Sequence, residues 1–418
     1  MGGMRIKIFI CVVFLSCVHA QMLTWSDCEQ QASGNNTTIR IARENLVQAQ
    51  ESLNAARALF WPQISAGAST QHAENTLHDP VQTTKSDSVG YTLSVKQDVF
   101  DGFKTLAQAQ AAEKSVQAAE YDFFVTNSNV RLALRNAFIT VLKAQEQKAL
   151  VDIIVARRSQ DMALIKLRYD GGREHKGALL LARANLDQAE ADVAQATRTI
   201  TLAQRKLSSL LGVSLEQYTV TENQGVFAVV SPNFEEIAVT NPQLQLLQAK
   251  LDAAKYSATA VKASQLPQVY ASYQTGKSGN SWPPENASWS LGGNLAFTLF
   301  DGNANGATMA KAESAIAQAD LQVLDGRQTI VLTLAQTWTD LENAREDLAV
   351  KQSFLVAAQE RSRIANAQYA AGLLLFDNWS IIEDALVNAE KAMVNARASV
   401  LTAEATWVQA CGGGLDAQ

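Results

Sequence analysis

The feature that most constrains this chain is a duplicated stretch free of proline. Val99-Phe100-Asp101-Gly102 opens a run that closes at Arg168-Tyr169-Asp170-Gly171-Gly172. Leu299-Phe300-Asp301-Gly302 opens a second, which closes at Gln368-Tyr369-Ala370-Ala371-Gly372. The copies lie 200 residues apart at both ends (300 − 100, 369 − 169 and 372 − 172). A fixed offset at both ends marks one long unit built twice. As a single helix, each run reaches about 100 Å at about 1.5 Å per residue. A length of 418 residues allows two or three domains, but the repeat argues for two halves of one structure. The scarcity of proline, 7 in all, suits long helices.

The segments before each run match as well. From Asn36 to Leu59, the positions Ile39, Ala42, Leu46, Ala49, Leu53 and Ala56 share one helical face, and Pro62 stops the helix. Asn241-Pro242-Gln243-Leu244 starts its counterpart, which Pro267 ends, at an offset of 205 (241 − 36 and 267 − 62). After each proline the period falls to two. Ile64, Ala66, Ala68 and Thr70 alternate with polar or small residues, and so do Val89, Tyr91, Leu93 and Val95. In the second half Val269, Ala271, Tyr273 and Thr275 form one strand face. Trp289, Leu291, Gly293, Leu295, Phe297 and Leu299 form another.

The predicted strands are 63–71 and 89–98, joined by a polar loop from His72 to Ser88, and 268–276 and 288–299, joined by Gly276 to Ala287. Strands of about 9–11 residues span a bilayer when tilted, and apolar–polar alternation suits the wall of a water-filled barrel. Tyr91, Tyr273, Trp282 and Trp289 stand where an aromatic girdle would form. One such hairpin reads equally as a soluble hairpin packed on a core; two matching hairpins in an exported chain favour the membrane.

Each long run ends in a glycine turn and returns as a helix with a heptad seam. Leu179, Leu186, Val193, Ile200 and Leu207 recur every seven residues, with Ala182, Ala189, Ala196, Ala203 and Leu210 three later. The second half keeps the register: Trp379, Leu386, Met393, Val400 and Trp407, with Ile382, Ala389, Ala396, Ala403 and Ala410. A large row beside an alanine row lets helices approach closely.

The expected organisation is a first repeat over 21–212, with its long helix at 101–168 and return helix at 173–211. A linker or equatorial segment follows at 213–235. The second repeat covers 236–412, with helices at 301–368 and 375–411, and 413–418 form a tail.

Residues 1–20 read as a secretory signal: Arg5 and Lys7 precede an apolar core from Ile8 to Val18, and Val18-His19-Ala20 suits cleavage after Ala20. Phe14-Leu15-Ser16-Cys17 is a second possible processing box, with lipidation at Cys17. Beyond it no apolar run is long enough for a membrane helix. Cys28 and Cys411 either pair in the oxidising compartment or remain two free thiols.

The net charge of −6 and the absence of a Lys/Arg cluster exclude a nucleic-acid footprint. No catalytic constellation, phosphate-cradling loop or metal-spaced cysteine set appears. Neither an enzyme nor a cofactor protein is expected. His72, His78 and Asp79 form a conceivable metal group, but exposed loop residues are the simpler reading.

Four strands per chain cannot close a barrel, since the smallest have about 8, and open edges are not tolerated in lipid. A dimer supplies 8 strands and a trimer 12. At Phe100-Asp101-Gly102 and Phe300-Asp301-Gly302, and at Arg168-Tyr169-Asp170-Gly171-Gly172 and Tyr369-Ala370-Ala371-Gly372-Leu373-Leu374, the chain resembles the TolC-type outer-membrane efflux family. The resemblance covers nearly all of its mature length.

It implies a mainly α fold with a small β part. A homotrimer would hold a 12-stranded membrane barrel in outer-membrane lipid, continuing into a periplasmic α-helical coiled-coil barrel in a Gram-negative cell. It implies a passive duct for drugs, metals, small toxic molecules or polypeptides, in a tripartite efflux or type I secretion system. Its partners would be a periplasmic adaptor and an inner-membrane pump, proton-driven or ABC type.

By the same resemblance, Tyr169, Gly171, Gly172, Tyr369, Gly372 and Leu373 form adaptor-docking turns. The family narrows its tunnel near these turns with acids. One member's acid lies six residues past the turn glycine, where this chain has Ala178 and Asn378. The gate candidates are therefore Asp377 first, then Asn378, Glu383 and Asp384. Phe100, Asp101, Gly102, Phe300, Asp301 and Gly302 mark the strand-to-helix junctions. The competing reading is a secreted or surface coiled-coil protein, structural or adhesive, without a pore.

Overall fold

The structure is a computed structural model, and it describes residues 21–79, 81–213, 218–221 and 232–415. The signal expected at 1–20, with Cys17, lies outside the described residues. So do 214–217, 222–231 and 416–418, parts of the expected linker and tail. In chain order the elements are β1 (Gln21–Thr24), α1 (Trp25–Asn35), α2 (Thr37–Ala58), β2 (Gln63–His78), β3 (Val81–Phe100), α3 (Lys104–Asp170) and α4 (Lys176–Leu211). Then follow β4 (Tyr218–Thr221), α5 (Phe234–Thr240), α6 (Pro242–Ala263), β5 (Gln268–Gly279), β6 (Asn286–Ala296), α7 (Ala304–Ala370) and α8 (Phe376–Ala410). The two long helices, α3 and α7, have 67 residues each. No helix among the described residues is long and apolar enough to cross a membrane.

The chain divides into two compact units. One comprises residues up to Asn36, Ala133–Phe227 and Asn343–Thr402; the other comprises Thr37–Leu132, Ala228–Glu342 and the residues from Ala403 on.

In the first unit, β1 and β4 pair in parallel, Gln21 against Tyr218 through Thr24 against Thr221. Helix α1 is started by a capping box in which Thr24 and Asp27 satisfy each other's amides. Part of the linker is strand β4, pinned because the Tyr218 hydroxyl donates to Gln204 O at 2.6 Å and Gln204 Nε2 donates back to Tyr218 O at 2.6 Å. Trp25 meets Phe138 edge-on at 5.7 Å, with the Arg135 guanidinium 4.9 Å from the Trp25 ring. Asn36 donates its amide to Leu210 O at 2.7 Å, so the entry to α2 satisfies the end of α4.

The second unit repeats that last device. Asn241 caps α6 by accepting from Gln243 N at 2.9 Å, and it donates to Ala410 O at 2.8 Å. Pro242 at the first helical position lacks only an amide that would be orphaned anyway. Trp407 meets Trp338 at 5.3 Å in a core with Leu244, Ile330, Leu334 and Leu341.

The same unit holds an antiparallel sheet in the order β2-β3-β5-β6. The strands of the first hairpin are longer than expected. The polar stretch from His72 to Ser88 continues both strands as far as His78 and Val81. Cross-strand pairs hold it: His72 with Asp87, Lys85 with Glu74 at 3.5 Å, and Thr76 with Thr83 at 3.2 Å. Opposite charges directly across a strand pair stabilise it without any apolar signal. His72 is thereby committed to a carboxylate. Strand β6 ends at Ala296 rather than at 299. Cys28 and Cys411 are free thiols, the second of the two readings that the sequence left open. Burial pushes their thiols up, to about 12 for Cys28 and about 11 for Cys411.

Candidate functional site

The two helical turns, α3–α4 and α7–α8, both belong to the first unit. They end their long helices in the same way. Gly172 and Gly372 adopt φ of 69° and 77°, where an L side chain is strained. Arg173 N donates to Arg168 O at 2.8 Å and Gly172 N to Tyr169 O at 2.9 Å. Leu373 N donates to Gln368 O at 2.8 Å and Gly372 N to Tyr369 O at 3.0 Å. This double bond pattern across a left-handed glycine satisfies the orphan carbonyls of a helix end. Nothing lies within 4 Å of where a Cβ would stand on either glycine, so the backbone angle alone requires glycine there.

The side chains break the symmetry. Tyr169 is 36% exposed, whereas Tyr369 is 1% exposed. Tyr369 stacks on Trp379 at 4.6 Å with planes 10° apart, and the Arg168 guanidinium lies 4.3 Å from the centroid of the same ring. Arg168 also donates to Tyr369 O at 2.6 Å and to Ala370 O at 3.1 Å, so the end of α3 caps the end of α7. The Tyr369 hydroxyl donates to Glu174 at 3.0 Å. Burial raises the phenol above its ordinary range, and Glu174 adds to the shift. Tyr369 thus ties the turns together with its side chain almost wholly buried, whereas the Tyr169 side chain stays open. Leu373, beside it, is 80% exposed. His175 caps α4 by accepting from Ala178 N at 3.1 Å.

A polar cluster lies further along the same helices. Trp379 Nε1 donates to Asn366 Oδ1 at 2.6 Å, and Asn366 Nδ2 donates to Glu383 Oε1 at 3.1 Å. Ser362 donates to the same Glu383 oxygen. Arg158 pairs with Asp384, and Arg157 grips both oxygens of Glu390 at 2.8 and 2.9 Å. Asp161 Oδ2 is buried with no hydrogen-bond partner. Its carboxyl is pushed up to about 6 by burial and by Glu383, against the pull of Arg158 and Arg157.

Of the four gate candidates, Glu383 is 1% exposed and engaged within the chain, and Asp384 is held by Arg158. Only Asp377 and Asn378, in the first turn of α8, are both exposed and outside this network. Sequence reasoning missed Arg158, Asp161, Glu174, Ser362 and Asn366. The available signal was charge close to an apolar seam, as at Glu383 beside Ile382.

The strand-to-helix junctions, in the second unit, are also built alike. Asp101 Oδ2 accepts from Thr105 N and Asp301 Oδ2 from Asn305 N, each at 2.7 Å. The helices start at Lys104 and Ala304, three residues later than expected (104 − 101, 304 − 301). Two consecutive left-handed residues intervene in each copy: Gly102 and Phe103 at φ 70° and 69°, Gly302 and Asn303 at 69° and 72°. Phe300 is exposed, and Phe100 meets Phe103 edge-on at 5.7 Å. Among the described residues, no group of three or more His, Cys, Asp or Glu is placed to hold a metal.

A family model described as "Outer membrane efflux protein" matches residues 29–213 and 234–413. The outer membrane efflux protein BepC of Brucella suis is 22% identical over 335 residues, 79% of this chain and 72% of that protein. The pyoverdine export outer membrane protein OpmQ of Pseudomonas aeruginosa is 23% identical over 411 residues, 92% of this chain and 84% of that one. The solved structure of the outer membrane protein VceC from Vibrio cholerae is similar with a TM-score of 0.80 at 19% identity, covering 94% of this chain and 97% of that chain. A membrane protein from Pseudomonas aeruginosa gives 0.83 at 18%, covering 93% of each. Structural likeness at such identities speaks for the fold alone; the family match takes in both repeats. With its doubled long helices, its four-stranded sheet and its paired glycine turns, the chain belongs to the outer membrane efflux protein family, whose members are transport conduits and not enzymes.

Proposed function

We propose that three copies of this chain form an efflux channel. Their sheets close a 12-stranded barrel in the outer membrane, and their helices line a periplasmic tunnel. The observation that carries this is the sheet itself. It turns apolar side chains outward, with Trp289 and Leu291 72% and 71% exposed, and within the chain it leaves β2 and β6 as edges. Edge amides and carbonyls have no water to bond in hydrocarbon, so the edges must meet those of other copies. Two copies would supply the ~8 strands of the smallest barrels; the resemblance of the junction and turn motifs favours three. Native mass spectrometry of the detergent-solubilised protein is expected to give a trimer that conducts ions in planar bilayers. A conducting dimer would remove the 12-strand reading, and a non-conducting monomer the channel.

The turns are the proposed docking end for a periplasmic adaptor, which couples the channel to an inner-membrane pump, proton-driven or ABC type. Tyr169, Leu373 and Leu375 are exposed apolar groups there that support this reading. A photo-crosslinking residue at position 373 is expected to capture an adaptor in intact cells, whereas one at the exposed Ser399 is not. Asp377 is the proposed gate acid. In Asp377→Ala, unchanged single-channel conductance and cation block would remove it from that role.

A further inference from the structure

Pairing across the sheet sets its side chains in rows. Ile64, Val95, Tyr273 and Leu291 form one row; Ala66, Leu93, Thr275 and Trp289 form the next. The third is Ala68, Tyr91, Lys277 and Ala287. Because side chains alternate along a strand, these rows share one face. Beyond them on that face come Thr70 with Val89, then the hydrogen-bonded pair His72–Asp87 and the ionic pair Glu74–Lys85. Lys277 therefore sits close to the limit of the apolar band, on the side of the two hairpin connections.

The other two lysines of the sheet have carboxylate partners: Lys85 with Glu74 at 3.5 Å and Lys96 with Asp98 at 3.3 Å. Among the described residues no carboxylate pairs with Lys277. Beside it a groove of about 670 Å³ crosses the face, lined by Ala66, Ala68, Tyr91, Leu93, Lys277 and Ala287 among others. Three of these six are alanine, which sets the floor low, and Tyr91 and Leu93 make a wall.

We propose that this groove holds an anionic, phosphate-bearing membrane lipid, its phosphate on Lys277 and an acyl chain along Ala66, Ala68 and Ala287. The assignment rests on the membrane reading of the sheet. The charge argues for the occupant: an ammonium at the edge of an apolar band, free of any carboxylate, is complementary to a headgroup anion above a buried chain. A second copy of this chain is the weaker candidate. Copies join through the edge strands β2 and β6, and Lys277 is on β5, an inner strand.

The test uses the full chain in a neutral detergent, with phosphatidylglycerol or phosphatidylcholine added and the retained lipids counted by native mass spectrometry. Wild type is expected to retain phosphatidylglycerol about fivefold better, the preference one lysine near an anionic surface gives. Lys277→Gln is expected to abolish the preference. Ala68→Phe, which fills the floor and leaves the charge, should lower retention of both lipids. The outer control Lys85→Gln should match wild type. Wild-type retention of phosphatidylglycerol by Lys277→Gln or by Ala68→Phe overturns the proposal. A protein that stays in solution without detergent and retains neither lipid overturns the membrane reading as well, so the two failures are told apart.

Discussion

Tyr169 and Tyr369 occupy equivalent places in the two repeats, yet only Tyr369 is buried, in contact with a guanidinium and stacked on an indole. Truncating a fully buried large aromatic costs about 3–5 kcal/mol; truncating an exposed one, away from special features, changes stability by ~0.5 kcal/mol or less. Tyr369→Ala is therefore expected to shift the urea midpoint strongly, and Tyr169→Ala hardly at all. Asp161 gives a pH signature at the same scale. Its folded carboxyl titrates at about 6 instead of 3.8, through burial first and Glu383 second. A raised carboxyl pKa means that the folded state holds the proton more tightly. The stability it brings is present below the ordinary value and is lost as pH rises through about 6. Asp161→Asn should thus raise the melting temperature at pH 7.5 and leave it nearly unchanged at pH 4. An equal shift at both would refute the assignment.

At the scale of elements, the four glycines that end α3, α4, α7 and α8 all adopt left-handed φ, from 69° to 87°, in different surroundings. A Cβ on Gly372 meets nothing, while one on Gly212 would stand 2.4 Å from Asn35 O and one on Gly412 2.5 Å from Pro242 Cδ. Gly372→Ala should cost about 1–2 kcal/mol, the strain of one left-handed residue. Gly212→Ala should cost clearly more in the same urea titration, because the backbone of α1 must also move.

These glycines, with Asn36, Asn241 and the prolines at 62 and 267, made the helix ends legible in the sequence. Each is a residue type demanded by a local backbone need. The heptad rows were legible too: Leu186, Leu207, Trp379, Leu386, Val400 and Trp407 are all buried. What stayed hidden had no apolar period. The outer half of the first hairpin is polar on both faces and is held by cross-strand charge. Helix α1 depends on its cap. The links from Arg158 to Asp384 and from Arg168 to Tyr369 depend on which helices are neighbours, and periodicity along one helix carries no information about that.

For the molecule as a whole, the apolar face of the sheet fixes the environment in which it is stable. A lysine at the lipid-facing midplane of a barrel costs about 2–4 kcal/mol. Leu291→Lys is therefore expected to lower the yield of heat-resistant oligomer, as read on semi-native gels. Ser290→Lys, on the opposite face of the same strand, should be tolerated. The inequality of the two turns has a further consequence for the proposed trimer. Three chains present six tips of alternating kind, one bearing an open tyrosine and one bearing Leu373. The end of such a ring has threefold and not sixfold chemistry. A docking partner built from identical subunits must either bind once per pair of unlike tips, in a stoichiometry of one to one, or bind twice and accept two different seats. Counting partner subunits per channel would therefore report whether duplication of the chain also duplicated its recognition site.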